Sequence, residues 1–366
     1  MTARYRAGII GCGGIARSHL LGYGDVPGAE VVAGADPSPE ARDRWEKEYG
    51  VAHMYASAEE MLEREQLDIV SLCVWPPLRP ELTELVCARG IRGIVAEKPM
   101  AVDLAGCDRM IAAAERSGSI LIVRHQRRYS PRFVKARQLI ESGAIGEVEQ
   151  IAVFNGGRGG GGDLITSSSH MVDVMRYLLE DAPAEWVMGQ IDVRDPAFTN
   201  GPTGFQQWEE THTRYGHPIE AGAIGVIQFQ GGARGQVECG IASRPRPSYS
   251  ATVYGTEGVI ETAGDPARPG SNRPDTGEPP LRARVKGQAQ WVFPEVPPEE
   301  GAPTPFTDLA NVIERGGTHP LNMRSAREVH EILMAVYESS RQRARIDLPL
   351  SVAAHPLVDM LAGAQS

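Results

Sequence analysis

The chain has 366 residues, of which 42% are hydrophobic and 23% charged, and its formal net charge at pH 7 is −10. Its length allows two domains, and its composition is that of an ordinary globular protein. The negative charge argues against nucleic acid or a membrane surface as the main partner, and no apolar run is long enough to span a bilayer. Because no leader-like segment precedes the first predicted strand, we expect a cytoplasmic protein.

The cysteines predict neither disulfides nor a metal site. They are five in number, and none forms a C-x-x-C pair. Buried free thiols are the simpler interpretation. His212 and His217 lie close together, but no nearby acids or thiols complete a ligand set, so no metal is expected.

The first predicted strand runs into a glycine-rich turn. Residues 7–16 have the sequence Ala-Gly-Ile-Ile-Gly-Cys-Gly-Gly-Ile-Ala, which predicts a buried strand, a tight turn and a helix start. Gly11, Gly13 and Ala16 fit the dinucleotide-binding fingerprint. The amide groups at the helix start, which include Gly14 and Ile15, would bind a pyrophosphate. The alternative is a glycine-rich surface turn.

The second predicted strand ends in an acid, Asp36, twenty residues beyond Ala16. A carboxylate in this position accepts hydrogen bonds from the ribose of NAD and repels the 2′-phosphate of NADP, so Asp36 predicts NAD. Ser38 and Pro39 supply the cap of the next helix, which leaves Asp36 available for the ribose. NADP stays an alternative cofactor, because Arg42 can approach its 2′-phosphate if Asp36 turns away.

Helices alternate with short apolar strands up to residue 125. The predicted helices are 39–49, 57–65, 81–89 and 104–117, and the further strands are 68–74, 93–96 and 120–123. This α/β alternation is typical of a Rossmann domain, a doubly wound parallel sheet covered on both faces. We therefore predict a dinucleotide-binding domain over residues 1–125, with its ligand at the carboxyl ends of the strands.

The pattern changes from residue 126 onwards. The predicted helices are 131–142, 168–179 and 325–341, and the predicted strands are 148–155, 186–193, 222–229, 233–241, 251–255 and 259–262. Longer strands with few helices between them predict an α+β domain built on a large, mostly antiparallel, open-faced sheet. We place this domain at 126–350, with helix 325–341 packing back near the first domain and 351–366 as a peripheral tail.

The fifth strand is followed by Glu97-Lys98-Pro99 at the sheet edge where a nicotinamide would lie. Glu97 and Lys98 are therefore candidate cofactor-binding residues. Desolvation and the positive nicotinamide ring would lower the pKa of Lys98, so that it can take a hydroxyl proton as hydride leaves the same carbon. The alternative is a solvated lysine before a helix-leading proline.

Several motifs occur together in a characteristic order. They are Gly11 to Ala16, Glu97-Lys98-Pro99, Arg128-Tyr129-Ser130-Pro131, Gly143-Ala144-Ile145-Gly146-Glu147-Val148 and His170-x-x-Asp173-x-x-Arg176-Tyr177-Leu178-Leu179. In this the chain resembles the Gfo/Idh/MocA family (glucose-fructose oxidoreductase, inositol dehydrogenase, MocA) over about residues 5–350. The resemblance implies NAD(P)-linked oxidoreduction of sugars or cyclic polyols, homodimers or homotetramers formed through the open sheet, and a cis peptide bond before Pro99.

By this resemblance Lys98 and His170 occupy the catalytic positions. Residues 166–169 all carry hydroxyl groups that can cap a helix, so His170 is predicted in a first helical turn, where the dipole favours a neutral imidazole. Such an imidazole orients the substrate hydroxyl or shares its proton. Asp173, one turn later, orients His170 or binds substrate. The alternative is a buried structural His–Asp pair.

The chain departs from the family pattern in two regions. Thr166 and Ser168 stand where the family often has an acid and a glycine, so either Thr166 substitutes as a hydrogen-bonding group or Asp163 reaches in. Trp75 and Pro76 begin the segment that replaces the family's Thr-Pro-Asn-x-x-His. We expect Trp75 to stack on the nicotinamide side or on a sugar face.

The further substrate-binding candidates are His125, Gln126, Arg128 and Arg158, with solvated loops or salt bridges as the alternative. The sequence thus predicts an NAD-dependent oxidoreductase acting on a secondary alcohol of a sugar, sugar derivative or inositol. Two alternatives stay open. One is an NAD-dependent glycoside-cleaving enzyme that uses transient oxidation and elimination, and the other is a non-catalytic NAD- or sugar-sensing protein.

Overall fold

The computed structural model describes residues 4–155, 163–192, 213–220, 222–240, 249–264, 279–298 and 301–364. The chain forms two compact units, which we call the first and second domains. The first contains residues 1–126 and 303–327, and the second contains 127–302 and 328–366. Segment 303–327 therefore groups with the first domain, whereas the boundaries drawn from the sequence keep 126–350 together.

The first domain is built on a six-stranded parallel sheet. Its strands are β1 (Tyr5–Ile10), β2 (Ala29–Ala35), β3 (His53–Tyr55), β4 (Ile69–Leu72), β5 (Gly93–Ala96) and β6 (Ile120–Val123). They lie in the order β3-β2-β1-β4-β5-β6. This is the predicted Rossmann arrangement, and the strand order reverses between β1 and β4, where such sheets bind their ligands.

Five helices connect these strands. They are α1 (Ala16–Gly24), α2 (Pro39–Tyr49), α3 (Ala58–Arg64), α4 (Arg79–Ala88) and α5 (Leu104–Ser117). All residues of β4 and β5 are buried, as expected for a parallel sheet covered on both faces. The side chains of Ser38 and Ser57 cap α2 and α3 by accepting the amides of Ala41 and Glu60.

The second domain contains a larger sheet and a short hairpin. The strands are β7 (Val148–Asn155), β8 (Ala184–Asp192), β9 (Thr213–Arg214), β10 (His217–Pro218), β11 (Gly222–Phe229), β12 (Arg234–Cys239), β13 (Ser250–Gly255), β14 (Gly258–Thr262), β15 (Leu281–Arg284) and β16 (Ile346–Asp347). Eight form one sheet in the order β15-β14-β13-β7-β12-β11-β8-β16, while β9 and β10 form the hairpin. In the large sheet β7 and β12 pair in parallel and the other neighbours pair antiparallel, which confirms a mostly antiparallel sheet.

The remaining helices are α6 (Pro131–Glu141), α7 (Ser169–Leu178), α8 (Pro305–Arg315), α9 (Met323–Gln342) and α10 (Pro356–Ala364). Helix α8 belongs to the first domain, as do the first residues of α9, where Arg327 pairs with Asp108 of α5 at 2.6 Å. Helices α8 and α10 were not predicted. Within the described ranges, no helix combines the length and the apolar character that crossing a bilayer requires.

One face of the large sheet is covered and the other is open. Gly189 of β8 and Gly225 of β11 lie against Val336 of α9, so close that a Cβ at either glycine would come within 2.6 or 2.8 Å of that side chain. On the other face Met188 and Val226, which are register partners on β8 and β11, are 50% and 38% exposed. The sheet therefore presents an apolar surface opposite its helices.

Candidate active site

The glycine turn after β1 fits a dinucleotide. Gly11 has φ +88°, and a Cβ there would lie 2.8 Å from the carbonyl oxygen of Cys73, so this turn requires glycine. Gly13 and Gly14 are exposed, with no atom within 4 Å of where a Cβ would stand. No side chain caps α1 at Ile15. The turn thus offers an open cradle of backbone beside a helix start, which suits a pyrophosphate.

Asp36, which follows β2, is held by the backbone. Its Oδ2 accepts the Cys12 amide at 2.8 Å, and its Oδ1 accepts the Ser38 amide at 2.9 Å. The sequence suggested that this carboxylate is wholly available for the ribose, but both of its oxygens already accept backbone amides. Each oxygen can accept a second hydrogen bond. Arg42 donates to the carbonyl oxygens of Asp36 at 2.7 Å and Pro37 at 3.0 Å.

Glu97 directly follows β5, and Lys98 is the next residue. The side chain of Lys98 is half-buried. Its amide donates to Glu97 Oε2 at 3.2 Å, and the Lys98–Pro99 peptide bond is cis, as the family resemblance implies. Glu97 is 3% exposed, and its Oε1 lies 3.1 Å from Nε2 of His19 and 3.0 Å from Nη1 of Arg124. A buried carboxyl group thus lies directly before the candidate catalytic lysine.

The charges at Glu97 and His19 follow from their surroundings. Burial by itself would raise the pKa of the Glu97 carboxyl, but the hydrogen bond from His19 and the positive charge of Arg124 hold that pKa well below its usual range. Complete burial lowers the pKa of His19. We therefore assign a neutral His19 that donates from Nε2 to an ionised Glu97.

The hydrogen bonds behind His19 run in one direction. Since Nε2 of His19 carries the proton, Nδ1 accepts the Ser71 hydroxyl at 2.9 Å, and Ser71 in turn accepts the Tyr23 hydroxyl at 2.8 Å. The three residues stand on α1 and β4, and sequence reasoning missed them. The sequence shows a histidine and a tyrosine four residues apart in the first helix, but only the fold identifies the residues to which they hydrogen-bond.

The segment after β4 carries an exposed tryptophan. Trp75 is 50% exposed and Pro76 is buried. Arg79 is buried nearby, and its guanidinium donates to the carbonyl oxygens of Pro99 and, at 2.7 Å, of Val74. Burial lowers the pKa of Arg79 to about 10. Arg79 thereby ties the Trp75 segment to the backbone next to Lys98.

His125 and Gln126 follow β6. His125 is buried, its amide donates to the Val123 carbonyl at 2.7 Å, and Gln126 is half-buried. Arg158 lies outside the described residues, as do the glycine run 156–162 and His212.

In the second domain, His170 is buried in the first turn of α7, as predicted, but the predicted cap is wrong. A single π-helical turn, Leu164–Ser168, runs directly into α7. Asp163 caps it, because its Oδ1 accepts the Thr166 amide at 2.5 Å. Ser168, at the start of α7, makes no side-chain cap. The buried carboxyl of Glu220 accepts the Leu164 amide at 2.5 Å.

Thr166 contacts a second histidine. Its Oγ1 lies 3.1 Å from Nε2 of His217, whose Nδ1 lies 3.0 Å from the Pro218 carbonyl oxygen. A carbonyl oxygen only accepts, so Nδ1 of His217 carries a proton and donates it to Pro218. Thr166 therefore serves as a hydrogen-bonding group here.

Arg128 and Asp173 contact each other. Nε of Arg128 lies 2.8 Å from Oδ2 of Asp173, and its two terminal nitrogens lie 2.7 and 2.6 Å from Asp181. Burial would lower the pKa of Arg128, but the charges of Asp173 and Asp181 hold it above its usual value. Two predicted substrate-binding residues are thus joined in one buried ion pair.

Comparison with known proteins places the chain in a family. Residues 5–125 match the sequence model described as "oxidoreductase family, NAD-binding Rossmann fold", and residues 133–261 match the Gfo/Idh/MocA C-terminal domain. The chain belongs to the Gfo/Idh/MocA oxidoreductase family. The first domain of this family member is accordingly an NAD-binding domain.

Relatives within the family are sugar and inositol dehydrogenases. D-apiose dehydrogenase of Paraburkholderia graminis is 27% identical over 277 residues, which is 72% of this chain and 68% of that protein. Myo-inositol 2-dehydrogenase of Thermotoga maritima is 24% identical over 72% of this chain and 74% of its own length.

Solved structures share the fold over nearly the whole chain. Levoglucosan dehydrogenase in complex with NADH and levoglucosan has a TM-score of 0.75 at 18% identity, covering 94% of this chain and 100% of that one. The WlbA dehydrogenase from Bordetella pertussis in complex with NADH and UDP-GlcNAcA has a TM-score of 0.70 at 23% identity, covering 95% of this chain and 99% of that one.

Among the described residues of this chain, no group of three His, Cys, Asp or Glu side chains is placed to hold a metal ion.

Proposed function

We propose that the protein is an NAD-dependent dehydrogenase that oxidises a secondary alcohol of a sugar, sugar derivative or inositol. The observation that carries the proposal is Lys98, half-buried at the carboxyl end of β5 in an NAD-binding sheet. The two named relatives are dehydrogenases of D-apiose and myo-inositol, which supports this substrate class.

In this proposal the chain's own residues bind the cofactor and move the proton. NAD, when bound, would supply the hydride acceptor. Lys98 would accept the hydroxyl proton and His170 would orient that hydroxyl. The turn 11–16 binds the pyrophosphate, and Asp36 accepts the ribose hydroxyls with its remaining lone pairs. The other proposed contacts are Trp75, Pro76 and Glu97 to the cofactor, and His125, Gln126, Arg128, Arg158, Thr166 and Asp173 to the substrate.

The test is NADH formation from a panel of D-apiose, myo-inositol, scyllo-inositol and levoglucosan, followed by Lys98→Ala and His170→Ala on the best substrate. We expect each variant to lose at least about a hundredfold in kcat, because acid–base groups contribute about 10²–10⁴. Lys47→Ala and His53→Ala change exposed side chains on the first domain and serve as matched controls.

Near-normal turnover in both active-site variants would refute the assigned roles. The same panel separates the alternatives. Release of a leaving group without net NADH indicates transient oxidation with elimination, and tight NAD binding without any turnover indicates a sensor. Neither alternative is favoured by the relatives, which are named as dehydrogenases and reductases.

We also propose that the open face of the large sheet forms a homodimer or homotetramer interface. Met188, Ile224, Val226 and Tyr254 are all exposed on this face, and exposed apolar side chains on a sheet face favour a protein interface. Ile224→Lys should reduce the mass measured by light scattering, whereas Leu21→Lys, at an exposed leucine of α1, should not.

The free, buried thiols support a location in the cytoplasm.

A further inference from the structure

Glu220 is a buried acid that links three parts of the second domain. It is 2% exposed and lies between β10 and β11. Its Oε1 accepts the Leu164 amide at 2.5 Å and lies 3.7 Å from Sγ of Cys239, while its Oε2 accepts the Tyr337 hydroxyl at 2.6 Å. One carboxyl group therefore connects the start of the His170 helix with α9 and β12.

The start of that helix is held by two acids. Leu164 is its first residue and donates to Glu220, while Thr166 donates to Asp163. The π-helical turn Leu164–Ser168 continues into α7 without a break. A displacement at Leu164 is therefore passed along a hydrogen-bonded helix to His170, six residues later.

We infer that Glu220 is a positioning residue for His170, which it holds in place through the Leu164 amide at the start of their shared helix. The catalytic consequence rests on the proposed function of His170, whereas the contact itself does not. Catalytic geometry is sensitive at this level, since a misplacement of about 1 Å can cost about a hundredfold in rate.

The contact between Glu220 and the Leu164 amide depends on pH, because the carboxyl group of Glu220 can be charged or neutral. The groups that face it are Asp163 before the helix, Tyr337 on α9 and Cys239 on β12. Burial raises the pKa of Tyr337 and Cys239 well above their usual values, so both stay neutral. Burial, and then the charge of Asp163, raise the pKa of Glu220 to about 7.

Protonation changes what Glu220 can offer to its partners. Ionised, it accepts both the Leu164 amide and the Tyr337 hydroxyl. Protonated, one of its oxygens becomes a donor, so the bond to Tyr337 must reverse or the carboxyl must turn. We therefore expect the geometry at the helix start to change between about pH 6 and pH 8.

The experiment compares Glu220→Ala and Glu220→Gln in the full chain. The matched control is Glu331→Gln, because Glu331 is another buried acid that accepts one backbone amide, that of Leu350 at 2.9 Å. The first readout is hydrogen exchange of peptides covering 163–178, which needs no substrate. Glu220→Ala should exchange at least about tenfold faster there, while Glu220→Gln and the control keep their protection.

The second readout is kcat and KM against pH with the best substrate of the panel. Glu220→Ala should lower kcat about ten- to a hundredfold with the NAD Kd unchanged. Glu220→Gln retains the acceptor but cannot titrate, so it should recover most of kcat and lose the part of the pH dependence centred near pH 7.

Unchanged exchange in Glu220→Ala would overturn the inference, whatever the chain oxidises. So would identical pH profiles of kcat in wild type and Glu220→Gln, which would leave Glu220 a purely structural residue. Faster exchange in a chain that oxidises no member of the panel would support the contact and refute the proposed function instead.

Discussion

Nε2 of His19 lies 3.1 Å from Oε1 of Glu97, and both side chains are buried in the first domain. The histidine stands on α1, directly after the glycine turn, and the glutamate directly precedes Lys98. The pair therefore joins the segment that fits the pyrophosphate to the segment that carries the candidate catalytic lysine.

Removing the histidine of this pair should destabilise the first domain. His19→Leu leaves an ionised, buried Glu97 without one of its donors and Ser71 without its acceptor, which should cost about 2–3 kcal/mol of the free energy of unfolding. Urea titration measures the loss. Tyr23→Phe removes only the outer hydrogen bond to Ser71 and should cost about 1 kcal/mol. Equal losses in the two variants would contradict the assigned direction of the hydrogen bonds.

The glycines of the turn should separate folding from NAD binding. Gly11→Ala combines a positive φ with a Cβ 2.8 Å from a carbonyl oxygen, so it should lose both stability, by about 1–3 kcal/mol, and NAD affinity. Gly13→Ala has space for the added carbon and should keep the stability of the wild type. The new methyl group fills the cradle, so its Kd for NAD should rise about tenfold or more.

Fluorescence titration with NADH and thermal unfolding of both variants provide the two measurements. A Gly13→Ala variant that binds NAD like the wild type would show that the pyrophosphate does not approach this turn.

Asp36 should set the preference for NAD over NADP. Replacing it with serine removes a charge that repels a 2′-phosphate, and it also removes acceptors for the ribose. The kcat/KM with NAD divided by the kcat/KM with NADP should therefore fall about ten- to a hundredfold. Adding Arg42→Ala tests whether that guanidinium, now bound to the carbonyl oxygens of Asp36 and Pro37, takes up the phosphate. An unchanged ratio in Asp36→Ser would remove the ribose role from Asp36.

Glu220 should give the second domain a stability that falls as the pH rises. Its pKa is about 7 in the folded chain against an ordinary value of 4.5, so the folded state keeps a proton that the unfolded state has already lost. The stabilising effect is complete below about pH 4.5, declines towards pH 7 and is absent above it. Full ionisation costs on the order of 3 kcal/mol.

Glu220→Gln should therefore gain stability over the wild type as the pH is raised from about 5 to about 8. Urea titrations at the two ends of this range measure the change, with Glu331→Gln as the control. Parallel pH curves for wild type and Glu220→Gln would show that the carboxyl titrates normally.

Local signals in the sequence predicted much of the fold. The bounds of α2 and α5 agree with the predicted helices to the residue, because a serine and a proline begin the first and a left-handed glycine, Gly118, ends the second. β5 and β6 also agree, since short apolar strands between helices leave little freedom in their ends. Helices α8 and α10 were missed because prolines and long loops surround them.

The site was predictable in its residue types and less so in its contacts. The glycine turn, Asp36, Lys98 and His170 are motif positions that a single sequence can show. The cap of the His170 helix could not be assigned, because the local hydroxyl groups compete with Asp163 and with Glu220, whose amide partner is 56 residues away. His19 and Glu97 are 78 residues apart, and only the sheet brings them together.

The five buried, unpaired cysteines are natural reporters of domain opening. Cys12, Cys73, Cys87 and Cys107 lie in the first domain and Cys239 in the second. Burial raises the pKa of Cys12 to about 12 and that of Cys73 and Cys239 well above the usual value, so the folded chain holds them as inert thiols. Pulse alkylation followed by peptide mass mapping would therefore record the unfolding of each domain separately, in the unmodified protein and without any engineered label.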